Sequence, residues 1–146
     1  MSSAPDPNAC EQMAQVADTI AAEHPDWRAH EFLVELGSRV AGIGRGRMAL
    51  VALLAGGRTR IRGGGFRPEL RDRSARQSRH FAGIARAVTV FGADRTRWIS
   101  VHVRRDAPDS PDGRLTELAI ELASGLLDGS ITTDAAGEWI RTNVCD

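Results

Sequence analysis

His80 is the one histidine in this chain that stands among several residues able to share its chemistry. Arg73, Arg76, Gln77 and Arg79 precede it within two helical turns, and Phe81 follows. An imidazole titrates near neutrality and can carry a proton to or from a reacting group. Guanidinium groups fork onto phosphate oxygens and stay charged at any working pH. Arg73, Arg76, Gln77 and Arg79 are therefore candidate phosphate or substrate ligands, and His80 is the candidate general acid or base. Positive neighbours favour the neutral imidazole that a base requires. The loop at 106–113 offers carboxylates to orient the ring, and Asp109 and Asp112 are the candidates for that role, with Asp106 beside them. Metal-independent RNA cleavage needs only proton transfer and stabilisation of a charged phosphorane, so this small set would suffice. A plainer reading competes at each position. A histidine at a helix boundary often only packs, and Ser110-Pro111-Asp112 is what a helix start requires.

Other chemistries find no motif. There is no H-x-x-x-H, no paired cysteines and no calcium-loop spacing, so neither a metal nor a cofactor is expected. Neither a Walker A sequence nor a G-x-S-x-G elbow occurs. Gly42, Gly44 and Gly46 follow a helix rather than a strand, which suits a connection better than a phosphate cradle. His24 and His30 flank a helix break and read as surface or capping residues, and His102 falls on the polar side of an alternating segment.

The charge pattern sets the choice of partner. All nineteen basic residues are arginine, and the formal net charge is zero. Residues 1–57 carry a net charge of −3, residues 58–105 one of +10 and residues 106–146 one of −7. A basic middle of this kind either meets an anionic partner, RNA or an acidic protein, or pairs internally with the acidic flank. The alternative to an RNA-directed enzyme is thus a non-enzymatic interaction module with an arginine-rich surface.

The elements that must position these residues are mostly helical. Apolar residues repeat at three and four over 9–20, 29–43, 77–91 and 115–126, predicting buried stripes on one shared core that includes Phe81, Leu118 and Leu122. Asp6-Pro7 is expected to open the first helix, Asp26 the second, Ser110-Pro111 the leucine-rich one and Thr133 the last. His24-Pro25 and Gly92 read as stops. Met48–Ala55 is apolar throughout and favours helix. From Ser74 to Phe91 the spacing places Arg76, Arg79, Gly83 and Arg86 opposite the apolar face, with His80 at the boundary. Trp98 to Arg105 alternates cleanly and predicts a short extended segment. The expectation is a mainly α, single compact domain over 1–146 with five to six helices: N-terminal helices in 1–57, a Gly/Arg-rich loop at 58–74 and a helical half at 75–146.

The run Gly65-Phe66-x-x-Glu69-x-x-Asp72-x-Ser74-x-x-Gln77-x-Arg79-His80-Phe81-x-Gly83, followed by an acidic loop, a leucine-rich helix and a terminal Trp-Ile-Arg helix, resembles small all-α bacterial domains similar to those of polymorphic toxin systems. The resemblance covers 63–146 and implies a toxin-like, nuclease-type effector. The longest apolar run is far short of the ~20 residues a membrane helix needs, so no membrane insertion is expected. A cytoplasmic protein, or one exported by a route independent of a signal peptide, follows. In a reducing cytosol Cys10 and Cys145 would be free thiols, with a bridge between them the lesser alternative.

Overall fold

The computed structural model describes residues 7–45, 57–72 and 74–146, and six α-helices lie within them. The expected helix at 48–55 falls outside the described residues. Helix α1 (Ala9–Glu23) buries Met13, Ala17 and Ile20. Its cap is Asn8, whose Oδ1 accepts from the Glu11 N–H at 2.9 Å. This corrects the expectation for Asp6-Pro7: the proline lies before the helix, and its carbonyl accepts from Ala9 and Gly64. The helix stops at His24 as expected, and that ring stacks on Trp27 at 3.5 Å. Helix α2 (Ala29–Ala41) starts at Arg28 rather than Asp26, because Glu31 reaches back to accept from the Arg28 N–H. Gly42, left-handed, ends it.

Residues 57–72 form an ordered connection held between the two ends of the described chain. Gly64 exchanges backbone hydrogen bonds with Pro7 and Cys10, Arg67 donates to Val144, and Asp146 donates to Gly65. Gly63 and Gly65 have φ of +136° and +88°, and a side chain on them would collide with the Pro7 carbonyl and the Asn8 side chain. Only glycine tolerates both demands. The glycine triplet is thus a seat for the start of α1 and the C-terminal segment. Across this seat Cys10 and Cys145 form a disulfide, with Cα atoms 5.6 Å apart. The expectation of free thiols is corrected: long-range packing, invisible in a two-cysteine count, brings the pair into bonding range.

Helix α3 (Gln77–Phe91) is the centre of the molecule and packs most extensively on α2 and on α5. It starts three residues later than its spacing suggests. Asp72 Oδ1 accepts from both the N–H and the hydroxyl of Ser74, and this turn occupies the residues before it. Phe81, Ile84 and Val88 are buried as expected. Arg86 is a correction: it is only 6% exposed, and its stem lies against Gly37 of α2 instead of joining the basic face.

Gly92 turns the chain into helix α4 (Ala93–His102), where an extended segment was expected. An isolated strand would have left its backbone groups without partners, whereas a helix satisfies them internally. Helix α5 (Pro111–Asp128) follows the sequence closely. Ser110 Oγ accepts from the Gly113 N–H, Pro111 takes the first position, and Leu115, Ala119, Leu122 and Leu126 are buried. Leu118 is only partly buried. A 3₁₀ turn at Thr133–Ala135 then leads into α6 (Ala136–Asn143), so Thr132 rather than Thr133 flanks the last helical run. Arg141 of α6 ties back to Glu11 and Asp18 of α1. The mainly helical single domain is as expected, with the extended segment removed.

Candidate functional site

His80 lies one turn into α3 and is buried, not at a boundary that water reaches. Arg104, in the loop after α4, donates from Nη2 to His80 Nδ1 at 2.9 Å. A guanidinium can only donate, so Nδ1 is the acceptor and the ring proton sits on Nε2. That nitrogen lies 2.7 Å from Thr116 Oγ1 and 3.2 Å from the carbonyl oxygen of Asp112, both on α5. Burial, reinforced by the Arg104 charge, lowers the imidazole pKa to about 4. The ring is neutral at pH 7, and both its nitrogens are engaged.

The network continues outward. Asp106 Oδ2 accepts from Arg104 Nε at 3.2 Å and from Ser100 Oγ at 2.9 Å, and Ser100 lies 3.2 Å from Thr116 Oγ1. Three elements, α3, α4 and α5, thereby meet through polar atoms. Asp112 meets His80 through its backbone, and its carboxyl is directed elsewhere, to Asp72. Burial raises the Asp112 pKa to about 7, assisted by that hydrogen bond and by the charges of Asp72 and Asp106. Asp72 is held below its usual value: burial opposes this, but the hydrogen bonds from Asp112 and Ser74 outweigh it. Asp109 is exposed in the loop and makes no hydrogen bond to His80 among the described residues. Asp106, through Arg104, is the carboxylate that orders this site.

Gln77 is also buried. Its Nε2 donates to the Leu70 carbonyl at 3.4 Å, which pins α3 to the preceding loop, while its Oε1 is buried without a partner among the described residues. Arg76 and Arg79 stand on the outer side of α3. Burial lowers the Arg79 pKa, and the nearby charges of Arg76, Arg104 and Arg62 lower it further. Arg62, Arg76 and Arg79 form a cationic group with no carboxylate partner among the described residues, whereas Arg71, Arg97 and Arg104 pair with Asp146, Glu117 and Asp106. Internal neutralisation of the basic middle is therefore partial. Arg73 lies outside the described residues.

Two concavities border the arginines. One is an open depression of about 450 Å³ lined by Pro7, Arg62, Gly64, Arg71 and Gln77. The other is a cleft of about 60 Å³ between α3 and α4, with Arg79 and Arg104 at one end and Phe91 and Thr96 at the other. No group of acidic, histidine or cysteine side chains able to hold a metal occurs among the described residues. No helix described is long and apolar enough to cross a membrane.

Arg104, Thr116 and Asp72 were not among the expected site residues. Each meets His80 or Asp112 across a long sequence separation, and no local spacing signals that. Against known proteins, the chain matches no family model, no curated protein and no solved structure.

Proposed function

We propose that this protein is a non-enzymatic interaction module that docks an acidic protein through the surface of Arg62, Arg76 and Arg79. One observation carries this reading. The clustered guanidiniums have no carboxylate partner among the described residues, while the nearby histidine is buried and hydrogen-bonded through both nitrogens. Like charges held together without neutralisation attract an anionic partner and steer its approach. A neutral imidazole with a pKa near 4 supports the arrangement by fixing Arg104, a positioning role that needs no proton transfer.

The test is charge reversal. Arg76→Glu with Arg79→Glu should abolish binding to an acidic protein while leaving the melting temperature unchanged, since neither arginine has an acidic partner among the described residues. A fall in melting temperature would instead mean that these arginines hold the fold. RNA cleavage makes a separate demand: labelled RNA should be cut, and His80→Ala should slow cutting by about 10²–10⁴-fold. Finding that activity would displace the interaction reading.

A further inference from the structure

The cleft between α3 and α4 has a shape and setting that the arginine surface alone does not explain. Ile84, Ala87 and Phe91 line one wall, Ile99 and Val103 the other, and Arg79 stands at the mouth. The spacing of these positions on two helices joined by one turn keeps the walls in register, so the cleft is built into the hairpin. Its volume of about 60 Å³ exceeds the gaps of a close-packed interior and leaves room for an apolar group entering from the open side.

The rim is apolar in part as well: Val103, one of four large apolar side chains exposed among the described residues, is 59% exposed there. An apolar centre with an arginine rim is the composition of a protein-binding surface.

We infer that this cleft receives a single leucine-sized side chain from an acidic segment of the partner protein, whose carboxylates meet Arg79, Arg76 and Arg62. This rests on the interaction reading above and adds the anchor. Charge complementarity selects the acidic flanks, and the narrow cleft selects the anchor between them. Burial of an anchor in a fully desolvated pocket is where interfaces concentrate their binding energy.

The experiment uses two synthetic glutamate-rich peptides, one with a central leucine and one with alanine in its place, titrated onto the full chain. The leucine peptide should bind at least about tenfold more tightly, the ratio expected for burying the extra methyl and methylene groups. Ala87→Trp, which fills the cleft, should erase that preference and leave the weaker binding intact, with helicity checked by circular dichroism. Arg76→Glu with Arg79→Glu should abolish binding of both peptides. Equal binding of the two peptides, lost on charge reversal, overturns the anchor and leaves the arginine surface standing. Binding of neither peptide, or indifference to charge reversal, overturns both. Tight, salt-sensitive binding of single-stranded RNA in place of either peptide would also overturn the acidic-protein partner. The leucine-to-alanine comparison lies in the peptide, so it decides the matter even if Ala87→Trp fails to fold.

Discussion

Helices α4 and α5 both pack on α3, yet they do so with opposite faces. Helix α5 buries Leu115, Leu122 and Leu126 and turns Glu117, Glu121 and Asp128 to solvent. Helix α4 buries Thr96 and Ser100 and leaves Trp98 exposed, with Val103 exposed just beyond its end. One helix is held by apolar area, which grows with every methylene removed from water. The other is held by the Ser100–Asp106–Arg104 network and by its covalent turn at Gly92. Stability concentrates in the first, and exposed apolar surface accumulates on the second. A helix whose apolar residues face outward is a poor core element and a good place for a partner.

The largest effect should come from cutting the apolar side of this contrast. Leu122→Ala should cost about 2–5 kcal/mol, the range for truncating a fully buried leucine. Trp98→Ala should cost under about 1 kcal/mol despite removing a larger side chain, because that ring is mostly in water. Denaturant midpoints of the two variants measure both. Equal losses would mean that α4 is as much a core element as α5.

Next comes the polar junction, which should answer to pH. His80 has a folded-state pKa of about 4 against its usual 6.5, so the unfolded chain takes up the proton first. The network's stability is complete above about pH 6.5 and drains as the pH falls toward 4, by about 3 kcal/mol if the shift is fully expressed. Asp112 works in the opposite sense. Its pKa is raised to about 7, so its contribution is present below its usual carboxylate range and is lost as the pH rises through 7. Asp112→Asn should remove this opposing slope and leave a variant more sensitive to acid than the parent. Unfolding curves at pH 4.5 and pH 7 make the comparison, and identical acid losses in the two proteins would refute it.

The smallest effect sharpens the reading of α4. Thr96 is 1% exposed, and its hydroxyl has no hydrogen-bond partner among the described residues. Thr96→Val keeps the shape and removes the orphaned group, so stability should stay level or rise by up to about 1 kcal/mol. A clear loss, seen as a lower melting temperature, would mean that the hydroxyl does have a partner in solution.

What the sequence reveals divides along the same line. Helices α1, α2, α3 and α5 are legible because their apolar residues repeat at three and four. The Ser110-Pro111 start of α5 is legible because capping is local chemistry. Helix α4 is not. Its inward residues are Thr96 and Ser100, so the apolar set Ile99, Val101 and Val103 reads as an alternating strand. At the candidate site, His80 draws notice through its basic neighbours, but its partners Arg104 and Thr116 are 24 and 36 residues away. The expected carboxylate contact from Asp112 turns out to be a backbone contact, which no side-chain motif encodes.

The bridge between Cys10 and Cys145 spans 135 positions, nearly the whole chain, and closes where α1, the glycine seat and the C-terminal segment meet. It turns the fold into a ring with respect to mechanical load. Tension entering before Cys10 and leaving after Cys145 passes through a sulfur–sulfur bond and bypasses every helix from α2 to α6, with the part of α1 beyond Cys10. Under pulling, the oxidised domain would behave as a short inextensible link, with the hairpin that carries the cleft undisturbed. Reduced, the same domain would feel the load along its backbone and lengthen as its helices gave way.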